Sequence, residues 1–280
     1  MPTYGALFIV ATPIGNLNDI SARALTTLRQ VDLIAAEDTR HTRRLLQHAG
    51  IQRPLIALHD HNEQHQVQPL LERLRAGTSI ALVSDAGTPL ISDPGFRLVR
   101  ACHATTIPVV PIPGPSALIT ALSVSGLPTD AFYFAGFPPH KKNARLIWLE
   151  QLCQQTATLI MYESNHRVYD TLTDMQAVFG PERQAMCARE LTKTFETLLH
   201  GTLQEIQAQL GPQPKGEIVL VVAGATTDPE TAELERYLDI LLAELPRKQA
   251  VALAARLLKL PKNQVYQRAL RNKSFDTMNS

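Results

Sequence analysis

Asp85 and Asp93 stand among two prolines and two glycines in "SDAGTPLISDPG", directly after an apolar run, Ile80 to Val83, that reads as a buried strand. An ordinary turn needs neither acid. Two more Pro/Gly segments also follow apolar runs: Thr12-Pro13-Ile14-Gly15 and Pro113-Gly114-Pro115-Ser116. Open parallel sheets bind ligands at the carboxyl ends of their strands, where loops and helix starts offer backbone donors. None of the three segments matches GxGxxG or the phosphate loop GxxxxGK[ST], which disfavours a nicotinamide or ATP enzyme. Loops of fixed backbone with aspartate in place of lysine suit a ligand with a positive end. S-adenosylmethionine, with a cationic sulfonium and amino group and an adenine that needs an apolar slot, fits that description. Plain turns are the competing reading.

Two polar clusters complete the candidates. Glu37-Asp38-Thr39-Arg40 follows a strand-like run and reads either as a helix-capping acid with a salt bridge or as part of a substrate site. His59-Asp60-His61-Asn62-Glu63, with His65 nearby, has the composition of a metal cluster. HxH alone is a weak signal, and a polar active-site loop is preferred over metal. No metal is expected.

Alternating apolar and amphipathic segments must position these loops. Up to Leu127-Pro128, strand-like runs ("LFIV", "DLIAA", "PLIAL", "SIALV", "TIPVVPI") alternate with helical ones, among them "VQPLLERLRAG" and "SALITALSVSG". That order argues for a mainly parallel sheet covered on both faces. Ser21 is the expected cap of the first helix, and Asp93 that of the helix after "SDPG". After Pro128 come strands at "AFYFAGF", "ATLIMYES", "QAMCARE" and "EIVLVVAG", one clear helix at "RVYDTLTDMQAVFG" and a shorter one near "TLQEIQAQLG". "PPHKKNAR" reads as a basic loop in which Lys141, Lys142 and Arg145 either grip phosphate or lie solvated. The expected division is residues 1–127, 128–224 and 225–280: two α/β domains and a small helical C-terminal module.

The chain of 280 residues, 45% hydrophobic and 19% charged, is that of an ordinary soluble globular protein with a substantial core. No apolar run approaches the roughly 20 residues a membrane helix needs. Leu7 to Ala11 reads as a first strand, not a signal peptide. Cys102, Cys153 and Cys187 form no CxxC pair and fit buried thiols in a reducing cytoplasm. The net charge of +1 hides an asymmetry. Between Pro246 and Asp276 the only acid is Asp276, against eight lysines and arginines, so a basic tail follows an acidic body. "PRKQAVALAARLLKLPKNQVYQRAL" has two helical stretches about a Leu-Pro turn and resembles a helix-turn-helix. Lys262, Asn263, Gln264, Tyr266, Gln267 and Arg271 would then sit on or near the second helix and face nucleic acid; a packing or dimerisation element is the competing reading.

"LFIVATPIGNLNDIS", "AAEDTRHTRRLL", "ALVSDAGTPLISDPG", "PIPGPSALITALSVSGLP", "YESNHR", "ARELTKTFE" and "KGEIVLVVAG" occur in this order. Together they resemble the tetrapyrrole-methylase-like (class III) methyltransferases, and more closely the bacterial family that methylates a cytidine 2′-oxygen in small-subunit (16S) ribosomal RNA. The resemblance covers nearly the whole chain. It implies two α/β domains of the tetrapyrrole-methylase type with an S-adenosylmethionine cleft between them, commonly a homodimer, working in the cytoplasm on ribosomal RNA. It puts Pro13 and Gly15 beside the transfer position and Ser84, Asp85, Ala86, Gly87 and Thr88 around the methionine part. Ser116 and Ala117 also contact the cofactor, with adenine near Tyr162, Ala188, Gly216 and Ile218. This chain has Ser-Asp-Ala-Gly-Thr-Pro where the class often has a Gly-Gly-Asp-Pro-like segment, which leaves the contact of Asp85 open. Tyr162-Glu163-Ser164 and Arg189-Glu190 either line the cleft or finish strands. Asp38, His59 and Glu63 are the candidate bases for a 2′-hydroxyl, and Arg40 a candidate phosphate grip. A corrin or porphyrin methyltransferase of the same fold, and a non-enzymatic nucleic-acid-binding regulator, stay open as alternatives.

Overall fold

The computed structural model describes residues 5–226 and 229–271, without the side chains of 229–232 and 271. Arg271, Lys273 and Asp276 of the basic tail therefore fall outside the described side chains.

Five short strands, β1 (Leu7–Val10), β2 (Leu33–Ala36), β3 (Leu55–Ala57), β4 (Ile80–Val83) and β5 (Val109–Ile112), form one sheet in the order β3-β2-β4-β1-β5. All four pairings are parallel. Helices α1 (Ala22–Gln30), α2 (Thr39–His48), α3 (Glu63–Arg75) and α4 (Phe96–Ala104) make the crossovers, and α5 (Ala117–Val124) follows β5. Alternation along β4 shows why both faces need cover. Ile80 and Leu82 pack with Leu70 and Leu74 of α3 and with Leu98 and Cys102 of α4. Ala81 and Val83 join Ala24 and Leu28 of α1 and Leu46 of α2 on the other face. A buried leucine contributes about 1.5–3 kcal/mol by leaving water, so each face alone holds the sheet firmly. Ser21 caps α1 by accepting the Ala24 N–H at 3.1 Å, as its sequence position predicts.

The second sheet contains β6 (Phe132–Gly136), β7 (Thr158–Ser164), β8 (Gln184–Arg189), β9 (Thr197–Thr202) and β10 (Glu217–Val222), in the order β6-β7-β10-β8-β9. β6 and β7 are parallel; the remaining pairings are antiparallel. One face packs against α6 (Lys142–Leu152), α7 (Val168–Phe179) and α8 (Leu203–Leu210) through Leu149, Leu172, Met175, Leu203 and Ile206. The other receives Leu118, Ala121 and Leu122 of α5, which places a helix from the first half directly on the second sheet. Both sheets thus belong to one compact unit, Met1–Gly224, and Ala225–Ser280 is another.

Two elements depart from the sequence reading. "PPHKKNAR" is not a loop throughout, because α6 begins at Lys142. Arg145 on that helix is buried and donates to Asp174 at 2.8 Å, so it is a core ion pair and not a phosphate grip. Strand β9 has no counterpart among the predicted strands.

In the C-terminal unit, α9 (Pro229–Glu244), α10 (Arg247–Leu257) and α11 (Lys262–Arg271) pack through Leu234, Leu238, Leu242, Ala250, Val251, Ala254, Val265 and Ala269. Pro246 and Pro261 sit at the two helix starts, where a missing N–H costs nothing. Lys262, Asn263, Gln264, Tyr266 and Gln267 are exposed. Arg268 instead pairs with Glu235 of α9. Among the described residues, no helix is long and apolar enough to cross a membrane.

Candidate functional site

The loops after β1, β4 and β5 are tied to one another by their own backbones. Thr12 and Gly87 exchange both main-chain hydrogen bonds, at 2.8 and 3.1 Å, and the buried Thr12 hydroxyl donates to the Ser84 carbonyl. Thr88 donates from its hydroxyl to the Pro115 carbonyl at 3.1 Å. A fourth loop joins from β2: the Asp85 N–H donates to Glu37, and the Asp38 N–H donates to Asp85. The strand ends therefore form one stitched floor.

A cavity of about 330 Å³ opens above this floor. Its lining combines Ile14, Glu37, Asp85, Ala86, Gly87, Thr88, Ile91, Ser92, Asp93, Ser116 and Ala117 with Phe137, Tyr162, Glu163, Ala188, Leu191, Glu217, Ile218 and Val219. The cleft is thus walled by both halves of the unit. Apolar residues (Ile14, Ala117, Ala188, Leu191, Ile218, Val219) line it together with the acids Glu37, Asp85, Asp93, Glu163 and Glu217. No lysine or arginine lines it among the described residues. Burial first, and the nearby charges of Asp85, Asp60 and Asp38 after it, hold the Glu37 carboxyl above its ordinary range, against the Asp85 amide. Asp93 is raised to about 6, again by burial first and by Glu37, Asp85 and Asp60 after it.

Of the residues expected at a cofactor site, Asp85, Ala86, Gly87, Thr88, Ser116, Ala117, Tyr162, Ala188 and Ile218 line this cleft. Pro13, Gly15, Ser84 and Gly216 do not. Gly15 is where the first loop meets the segment after β8: an added Cβ would come within 2.5 Å of Lys193 and 2.8 Å of Thr192. Tyr162 accepts the Leu118 N–H at 3.3 Å through its hydroxyl, at the start of α5, and its ring meets Phe134 and Phe137 edge-on. Glu163 lines the cleft, and Ser164 is bonded to Arg167, so that segment both lines and closes its strand. Arg189 bonds Thr197, and Glu190 bonds Lys193 and the Glu217 N–H.

The candidate catalytic residues are less gathered. Asp38 caps α2 through the Arg40 N–H at 2.7 Å and holds the Arg40 guanidinium through both carboxylate oxygens. These bonds hold its carboxyl far below the usual range, so it is a poor proton acceptor. The Arg40 side chain is 84% exposed. His59 is half-buried, its Nδ1 without a partner, and its ring is 6.0 Å from that of His61. Among the described residues no group of three or more His, Cys, Asp or Glu is arranged to hold a metal ion.

Glu63, not Asp93, caps the start of α4. Glu63 is buried, and its Oε1 accepts the N–H groups of Gly95 (3.2 Å), Arg97 (2.8 Å) and Leu98 (3.3 Å). It caps α4 from across the fold and lines no part of the cleft. Asp93 makes no cap; the N-cap position is Gly95, at φ +126°. The loop that carries Asp93 bends through Leu90 (φ 74°) and Ser92 (φ 67°), non-glycine residues in a region that costs about 1–3 kcal/mol each. Ile91, Ser92, Phe137, Leu191 and Val219 also line the cleft without having been singled out in the sequence, and so does Asp93, read first as a cap. Its signal was the second acid in "SDAGTPLISDPG".

Two buried ion pairs fix the wall opposite. Arg167 pairs with Glu163 at 2.5 Å and donates to the Pro138 carbonyl. Arg145 pairs with Asp174 and donates to the carbonyls of Pro139 and His140. Together they pin the loop carrying Phe137, which is 53% exposed at the cleft.

Residues 6–207 match the family described as tetrapyrrole (corrin/porphyrin) methylases, and residues 228–273 match one described as the RsmI C-terminal HTH domain. Ribosomal RNA small subunit methyltransferase I of Haemophilus influenzae is 53% identical over 270 residues, spanning 94% of this chain and 95% of that protein. The protein of the same name from Pseudomonas aeruginosa is 54% identical over 273 residues, 95% of this chain and 97% of that one. Among solved structures, a uroporphyrin-III C-methyltransferase from Thermus thermophilus complexed with S-adenyl homocysteine covers 78% of this chain and 97% of its own, with a TM-score of 0.54 at 16% identity. That last likeness is one of fold.

Proposed function

The chain belongs to the tetrapyrrole methylase family, and from that premise we propose that it transfers the methyl group of S-adenosylmethionine to a cytidine ribose 2′-oxygen in small-subunit ribosomal RNA. Methyl transfer to small-subunit RNA follows from relatives more than half identical over nearly the full chain. The oxygen, the nucleotide, the homodimer and the cytoplasmic setting are our reading. The observation that supports the cofactor's place is the cleft itself, lined by acids and apolar side chains and by no lysine or arginine among the described residues.

S-adenosylmethionine supplies a methyl group on a sulfonium, ready for in-line displacement. Glu37 and Asp85 meet its cationic end, with Ser84 to Thr88 around the methionine part and Ser116 and Ala117 beside it. Ala117, Ala188, Leu191, Ile218 and Val219, with Tyr162, provide the adenine slot. In this reading Pro13 and Gly15 sit beside the transfer position and Gly216 near the adenine. Residues 1–127 thus supply the acidic floor, 128–224 the adenine side, and 225–280 an RNA-binding tail whose exposed α11 residues meet phosphate or bases. Arg40 and Lys141, both exposed, are placed to meet flanking phosphates. Alignment of the ribose oxygen can contribute about 7 kcal/mol or more to the rate, and a base takes its proton.

Isotope transfer from labelled S-adenosylmethionine to small-subunit RNA from a strain lacking the gene tests this, with the product mapped by mass spectrometry. A label on a cytidine 2′-oxygen is expected, and none on DNA of the same sequence, which lacks that hydroxyl. Label on a base carbon or nitrogen would overturn the 2′-O assignment.

A further inference from the structure

We propose that Asp93 accepts the proton of the ribose 2′-hydroxyl during methyl transfer, an assignment that rests on the reading above. Five acids line the cleft, and four of them hold a backbone amide or a cation. Glu37 takes the Asp85 N–H, and Asp85 takes the Asp38 N–H. Glu163 is held by Arg167, the Thr171 hydroxyl and the Ser164 N–H. Glu217 is bridged by Lys193. Asp93 has neither a backbone amide nor a cation among the described residues; the nearby Ser84 hydroxyl, which lowers its proton affinity, donates to the Ala86 carbonyl at 3.2 Å. That hydroxyl has one hydrogen, and while it is given to Ala86 the Asp93 oxygens stay open to an incoming donor.

Two further features isolate it. Glu63 serves the start of α4, the task that would otherwise engage an aspartate at this position. The left-handed residues Leu90 and Ser92 turn the loop so that Asp93 faces the cleft. The titratable groups around it are Glu37 from the end of β2, Asp85 from the end of β4, Asp60 from the loop before α3, and Tyr162 from β7. With burial, the three acids raise its proton affinity, as a base working near neutral pH requires.

In the step itself, the ribose oxygen bonds to the methyl carbon as its proton passes to the Asp93 carboxylate. The methyl carbon–sulfur bond breaks, and its electron pair stays on sulfur, which becomes a neutral thioether. Asp93 then returns the proton to water.

Asp93→Asn and Asp93→Glu test the assignment in the full-length protein, with wild type as the control for the parent reading. Asp93→Asn is expected to lower kcat on RNA by about 100-fold or more, while its calorimetric Kd for S-adenosylmethionine stays within about threefold of wild type. Asp93→Glu should recover part of the rate. In wild type, log kcat/KM, which follows the free protein, should rise with unit slope below about pH 6 and then level off; in Asp93→Asn that acid limb should vanish. A Kd that weakens in step with kcat would overturn the proposal by making Asp93 a cofactor-binding group. An unchanged kcat, or an acid limb that persists in Asp93→Asn, would overturn it outright. Absence of transfer by wild type would instead sink the parent reading.

Discussion

Glu63→Ala should destabilise the α/β unit without removing a catalytic group. Its carboxylate receives the N–H groups of Gly95, Arg97 and Leu98 at the start of α4. Losing a helix cap costs about 0.5–2 kcal/mol. Gly95 and Leu98 are buried, and a buried donor left without a partner adds about 1–3 kcal/mol. Loss of negative charge at a helix start adds about 0.3–1 kcal/mol. These contributions overlap, so about 3 kcal/mol is the working figure for Glu63→Ala. At about 2–4 °C per kcal/mol for a unit of this size, the thermal midpoint should fall by about 6–12 °C. Glu63→Gln keeps an acceptor oxygen in place and loses only the charge-assisted part, about 1 kcal/mol. Urea and thermal unfolding followed by circular dichroism measure both variants, with activity read well below the midpoint. If Glu63→Ala cost less than about 0.5 kcal/mol, the three contacts would carry no energetic weight. If Glu63→Gln kept its midpoint and lost activity, Glu63 would be a catalytic group after all.

Three other outcomes follow from described geometry. Gly95→Ala should cost about 1–3 kcal/mol by the same unfolding assay, because the new Cβ would lie 2.5 Å from Leu82 in a left-handed backbone that disfavours any side chain; a neutral result would contradict that packing. The raised carboxyl values of Asp93 and Glu37 mean that the folded chain retains protons the unfolded chain releases. Stability of the ligand-free protein therefore falls as pH climbs from the ordinary carboxylate range through about 6. Asp93→Asn should accordingly gain midpoint over wild type as pH rises from about 4 to 8, and a difference independent of pH would argue against the crowded cleft. Truncation after Gly224, the boundary between the compact units, should leave S-adenosylmethionine affinity intact in calorimetry while reducing RNA affinity and its salt dependence; an unchanged salt slope would make the tail a packing element.

The parallel sheet and its loops were readable because the sequence has a local cause for each: continuous apolar runs, Gly and Pro at strand ends, a serine ahead of α1. Where the cause is distant, the reading failed. Nothing near Asp93 says that Glu63, thirty residues upstream in sequence, already fills the cap of α4, so the local rule assigned that task to the wrong acid. Helix α6 begins at Lys142 behind Lys141, a residue that offers no capping side chain, and its opening residues are polar. Arg145 looked like surface for the same reason, since its partner Asp174 lies on another helix. Strand β9 is a half-buried edge strand interrupted by Gly201, with too little apolar pattern to stand out.

The paired arginines behind Phe137 bear on the timing of RNA capture. The loop from Phe137 to His140 has no regular secondary structure, yet three of its carbonyls are held by guanidinium groups already neutralised by buried carboxylates. Its ordering entropy is lost when the chain folds and not when RNA arrives. On the function proposed above, a ribose and base presented to this wall would meet a surface that has already stopped moving, so RNA binding energy need not be spent on freezing it.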